Sequence, residues 1–114
     1  MNTDADGAHL EGAAVQNLGS LVAYGDEAIV SRTLVKNTGG SITLFAFDAG
    51  QGLSEHKAPF DAVVTILDGQ AEITIDGQTT TVAKGEMVIM PANITHALFA
   101  KERFKMLLVM IRGE

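Results

Sequence analysis

Histidines and carboxylates must carry any chemistry in this 114-residue chain, because it contains no cysteine. That removes a thiolate nucleophile, a disulfide framework and a zinc–thiolate centre together. The histidines are His9, His56 and His96. A neutral imidazole ligates metals, hydrogen-bonds ligands and exchanges protons near neutral pH. No glycine-rich phosphate loop opens a helix, and no Ser-His-Asp arrangement can be assembled. His9 lies in an acidic, polar start, where a solvated imidazole is expected. Met87, Met90, Met106 and Met110 read as adaptable core filling rather than thioether ligands. Phe45, Phe47, Phe60 and Phe99 read as core or interface, and Asp68-Gly69 and Asp76-Gly77 as turn chemistry.

The elements that must position these side chains are strands. Apolar residues make up 46% of the chain, but tryptophan is absent and phenylalanine numbers five, so Val, Ile, Leu, Met and Ala must build most of the core. Short β-branched runs separated by glycines indicate an all-β domain. Val15 to Val22 reads as a first strand or an irregular arm, followed by strands over Ile29 to Val35 and Ser41 to Phe47. Asp48 to Gly52 reads as a glycine-rich bend. Ala62 to Leu67 and Ala71 to Asp76 form a hairpin through Asp68-Gly69. Gln78 to Ala83, Met87 to Met90, Thr95 to Ala100 and Phe104 to Ile111 complete the series. About eight to ten short strands at this spacing make a sandwich or barrel.

Residues 1–12 read as a flexible arm and residues 13–114 as the domain. Val63 to Leu67 and Phe104 to Ile111 are apolar on both faces, which calls for a cover over their outer side. A second copy of the chain, making a homodimer, is the expected cover. A formal net charge of −6 with scattered cations opposes nucleic-acid binding. The start lacks a basic, apolar leader, and no apolar run reaches membrane length. A soluble, cytoplasmic protein without a membrane partner is expected.

The spacing across Gly50 to Ala100 resembles the two motifs of the cupin superfamily. The first family motif, G-x5-H-x-H-x3-E-x6-G, falls on Gly50, His56, Ala58, Ala62 and Gly69. The second, G-x5-P-x-G-x2-H-x3-N, falls on Gly85, Pro91, Asn93, His96 and Ala100. The resemblance implies a single-domain cupin β-barrel, a double-stranded β-helix of jelly-roll type. In metal-binding cupins both histidines and the glutamate of the first motif, with the histidine of the second, hold one ion inside the barrel. Here two of those positions are Ala58 and Ala62, and the segment resembles a variant branch of small cupins with an H-x-A-P core.

Alternation along an unbroken strand would put His56, Ala58, Ala62, Val64 and Ile66 inside and Asp61 outside, unless a bulge at Pro59 reverses the order. Three readings follow. The leading one is a small-ligand site, its guest a carbohydrate or small organic acid in a lumen lined by His56, His96, Ala58, Ala62 and Met90. The second is a metal-dependent enzyme of isomerase, decarboxylase or dioxygenase type, with His56 and His96 holding a divalent Zn, Ni, Mn or Fe ion. Two imidazoles fall short of the usual three protein ligands, so a further donor would have to come from a substrate, His9 of a neighbouring chain, or Asp61. The third is a structural or regulatory dimer whose lumen is only core.

Overall fold

Apolar residues two apart let a strand bury one face, and this pattern underlies most of the nine strands found within residues 10–112, which the structure, a computed structural model, describes. They are β1 (Ile29–Asn37), β2 (Gly40–Phe47), β3 (Gly52–His56), β4 (Phe60–Asp68), β5 (Gln70–Ile75), β6 (Gln78–Ala83), β7 (Met87–Met90), β8 (His96–Phe99) and β9 (Phe104–Arg112). One sheet runs β1-β2-β9-β4-β7 and the other β3-β8-β5-β6. All the pairings are antiparallel.

The sheets enclose one main core in which Phe47, Val64, Ile66, Ile73, Phe104 and Met106 are fully buried. Phe47 and Phe104 stack with centroids 4.5 Å apart. The result is the small all-β jelly-roll barrel expected from the sequence. Two hairpin turns also fall where Asp-Gly pairs placed them. Asp76 and Gly77 both take positive φ, 51° and 81°, as a tight two-residue turn requires. At Gly69 an added Cβ would strike the Arg103 carbonyl.

The stretch around His56 differs from an unbroken alternation. β3 belongs to the four-stranded sheet and β4 to the five-stranded one, and Lys57-Ala58-Pro59 crosses between them. Inward order is restored in β4 without a bulge at Pro59: Ala62, Val64 and Ile66 are buried and Asp61 is exposed. Asp61 accepts a hydrogen bond from the Ala92 N–H at 2.9 Å. The strand Gly52–His56 is missing from the sequence reading because Leu53 is its sole aliphatic residue, so it has no apolar rhythm.

Val15 to Val22 is irregular, with one 3-10 turn at Leu18–Ser20. Leu10, Leu18, Leu21, Val22 and Tyr24 pack with Leu44, Ala46, Leu67 and Leu107 in a second apolar cluster. The chain therefore covers part of the outer face of its own five-stranded sheet. The Tyr24 hydroxyl fastens this segment by donating to Asp68 Oδ2 at 2.6 Å, and the Leu10 N–H donates to the Leu34 carbonyl. Of the expected arm at 1–12, residues 1–9, including His9, lie outside the described residues.

The rest of that outer face is only partly covered. The register aligns Val35, Ile42, Val109, Val63 and Ile89 in one row across all five strands. Val35 is 37% exposed and Ile89 51%, and Met87 and Ile111 beside the row are 51% and 55% exposed. Among the described residues no helix is long and apolar enough to cross a membrane.

Candidate functional site

His56 ends β3 and His96 begins β8, and the two are register partners across the four-stranded sheet. Two positions 40 residues apart in sequence thereby become cross-strand neighbours. Their rings meet edge to face with centroids 4.4 Å apart, and their Nε2 atoms are 3.1 Å apart. His56 Nδ1 lies 2.8 Å from the Ser54 carbonyl and His96 Nδ1 lies 3.3 Å from the Ile94 carbonyl. His96 is buried and His56 is exposed at the rim.

Proton counting shows what this arrangement lacks. Three contacts run in series from the Ser54 carbonyl through both rings to the Ile94 carbonyl. Each needs one N–H, and two neutral imidazoles supply two. The short Ser54 contact fixes the proton of His56 on Nδ1, so its Nε2 is a bare acceptor. His96 then protonates either Nε2 or Nδ1, and whichever nitrogen it leaves bare faces another lone pair. A third proton would satisfy the series, but burial first, then the neighbouring His56, lowers the His96 pKa from 6.5, with the Ile94 carbonyl acting in the opposite direction. Whenever both rings are neutral, the series is one donor short.

The pair borders an apolar cavity of about 80 Å³. Ala58, from the crossing segment, and Ala62 and Met90, which are register partners on β4 and β7, line it together with both histidines. The five residues marked out from the sequence thus share one space. Phe45, Met106, Leu108 and Met110 also line it, and the sequence reading placed Phe45, Met106 and Met110 only as packing. Their signal was parity: Met106, Leu108 and Met110 alternate on the face of β9 that carries buried Phe104. A cavity this small admits a few waters or one end of a small organic molecule. It is well below the roughly 150 Å³ that takes a benzene, so a whole sugar ring needs space beyond it.

Bracing a histidine by a carbonyl at Nδ1 while Nε2 points inward is also how proteins hold metal-binding imidazoles. Among the described residues the donor set stops there. Ala58 and Ala62 stand where the cupin motif has its other ligands, Asp61 is committed outside, and no group of three His, Cys, Asp or Glu side chains converges among the described residues. The described residues do not fit a resident divalent ion, which takes three or more protein donors and commonly a carboxylate to offset its charge.

Comparison with known proteins agrees with this barrel. The cupin domain family matches residues 43–111. A crystal structure of a conserved Streptococcus pyogenes protein of unknown function is 46% identical, covers 95% of each chain and superposes with a TM-score of 0.88. A cupin superfamily protein from Desulfitobacterium hafniense is 30% identical, covering 96% of this chain and 100% of that one, with a TM-score of 0.86. An uncharacterized Streptomyces coelicolor protein is 39% identical over 56 residues, which is 49% of this chain and about half, 53%, of that protein. The chain is a member of the cupin superfamily, a single small cupin domain.

Proposed function

We propose that the chain is a small-ligand-binding cupin whose guest places a hydrogen-bond donor, a hydroxyl or an amine, against the His56–His96 pair. The observation that carries this is the missing proton. In an apolar lumen a donor from the guest completes the series of contacts, whereas an unmet lone pair there costs about 1–3 kcal/mol. On this reading Ala58 and Ala62 belong to the site, as the H-x-A-P variant would have them, because they leave the room that the guest enters. An anionic group set directly on the pair finds no cation in the described lining of the lumen, so an acid guest would turn another end toward the histidines.

The test uses 1,4-butanediol, a neutral probe with donors, and methyl-labelled methionine. The expected result is saturable shifts at Met90, Met106 and Met110 that weaken in both His56→Ala and His96→Ala. Shifts unaffected by either substitution would favour the purely structural reading and overturn this one. For the metal-enzyme reading, elemental analysis after exposure to Zn, Ni, Mn and Fe decides: retention of an ion at one equivalent through desalting would revive it.

A further inference from the structure

The lumen offers a second kind of donor beside the imidazoles. Three of the chain's five methionines, Met90, Met106 and Met110, line the cavity that His56 and His96 border. The register sets two of them on either side of one alanine: Met90 on β7 faces Ala62, and Ala62 faces Met110 on β9. With only a methyl group between them, both thioethers border the space that Ala62 leaves. Met106 lies four residues back along β9, roughly 13 Å away along the strand. In the sequence these methionines are ordinary core filling. The barrel gathers them around the same cavity as the histidine pair.

The histidine pair has the spacing to share one ion. A proton on each Nδ1 satisfies both the Ser54 and the Ile94 carbonyls, at 2.8 Å and 3.3 Å, and leaves two bare Nε2 atoms 3.1 Å apart. Two lone pairs at that distance repel, and a cation that accepts both removes the repulsion without a third proton. With the zinc–imidazole distance of about 2.0 Å as a guide, two neighbouring ligands on a tetrahedral ion sit about 3.3 Å apart. The observed separation is close to that, which leaves coordination positions for sulfur. The donors also select the ion. Imidazole and thioether are both neutral, no carboxylate is among the described lining, and the chain has no cysteine. A divalent ion would find nothing to offset its charge, whereas a soft monovalent ion, which thioether sulfur favours, brings half as much. A cavity of about 80 Å³ is large enough for an ion on its own.

We propose that the lumen binds one copper(I) ion, held by the Nε2 atoms of His56 and His96 and by the thioethers of Met90 and Met110. Such a centre differs from the divalent one of the cupin motif in its ion and in its ligands. Ala58 and Ala62 contribute no donor, and sulfur from β7 and β9, beside Ala62, takes their place. The ion needs no organic guest. It shares with the guest only the neutral histidine pair, so the two compete for the lumen.

The experiment titrates silver(I), a redox-stable probe of a copper(I) site, into the full chain in chloride-free buffer. Methyl-methionine and histidine ¹⁵N NMR follow the titration, and elemental analysis follows desalting. The expected result is one equivalent retained, with shifts at Met90, Met110 and both histidine Nε2 atoms and none at the exposed Met87. Met90→Leu and Met110→Leu conserve volume and should each weaken silver by roughly tenfold or more, the least that losing even an outer partner costs a metal site. Met87→Leu should leave it unchanged. Copper(I), supplied anaerobically, should compete with silver for the site. Silver affinity indifferent to both Met90→Leu and Met110→Leu, shifts confined to Met87, or zinc retained as tightly as silver would overturn the proposal. The diol separates this inference from the proposed guest. If 1,4-butanediol binds through the histidines while silver is not retained, the ion site alone fails. If silver is held by the histidines and methionines while the diol moves nothing, the guest alone fails.

Discussion

His56 Nε2 and His96 Nε2 stand 3.1 Å apart, and the Nδ1 of each ring already faces a backbone carbonyl. Backbone geometry, set by the β3–β8 register, aims three ring-nitrogen contacts along one series that two neutral imidazoles supply with only two protons. For the buried His96 this is unfavourable, because a half-satisfied buried polar group is worse than an apolar one. The pair makes sense as a feature kept for a guest.

That asymmetry predicts the outcome of His96→Leu. Leucine is close to isosteric with the buried imidazole and removes the unmet contact, so stability in urea should change by no more than about 1 kcal/mol. Binding of a neutral alcohol should be lost. A loss above about 3 kcal/mol, the mark of a fully satisfied buried network, would show the pair to be structural.

The pH dependence has a defined sign. His96 is held below 6.5 by burial and then by His56, so the unfolded chain takes up its proton first as the solution acidifies. Stability should be at its full value above pH 6.5 and fall as pH drops from there through the folded-state pKa. Asp48, whose carboxylate accepts the Glu27 and Ala49 N–H groups and lies beside Arg103, is depressed below 3.8. Its contribution is present above that value and disappears at lower pH. Melting temperatures from pH 8 to 3, compared with those of His96→Leu, check the first window. The variant should lose the slope near neutrality and keep the acid limb.

Tyr24 tests the attachment of the irregular segment. Tyr24→Phe removes the donor to Asp68 but keeps the ring, over which the Arg103 guanidinium carbon sits 4.3 Å from the centroid. The expected cost is about 0.5–1.5 kcal/mol, read by urea denaturation. No change would mean that apolar packing and the other hydrogen bonds of the segment, such as Lys105 to the Gly19 carbonyl, hold residues 10–24 without the Tyr24 hydroxyl.

The partly covered apolar row Val35–Ile42–Val109–Val63–Ile89 carries the expectation of a homodimer. Among the described residues, four of the six exposed large hydrophobics lie on or beside it, and its lack of charge suits an isologous contact between two acidic chains. Light scattering should return a dimer, and Ile89→Lys should convert it to a monomer that still binds the neutral alcohol. A concentration-independent monomer in the unmodified protein would contradict this.

Sequence alone carried the barrel far, because the Asp-Gly turns and the alternation in β5 each have a local cause. Ala71 and Ile73, on its inward face, are fully buried. It failed at Gly52–His56, where pairing with β8 makes a strand that no apolar rhythm announces. It saw that the outer face of β4 and β9 needed a cover, but not that Leu18, Leu21, Val22 and Tyr24 supply part of it, because an irregular segment has no period to read. For the site, the motif positions gave His56 and His96. The carbonyl contacts that leave the neutral pair a proton short follow from β3–β8 geometry.

The most direct test of the donor-seeking pair is the ¹⁵N spectrum of the histidine side chains during titration with 1,4-butanediol at pH 8. The account predicts saturable shifts of the His56 and His96 Nε2 resonances, with Nδ1 of His56 staying protonated, and predicts that Ala62→Leu abolishes them. Nε2 resonances that do not move, or that move equally in Ala62→Leu, would contradict it.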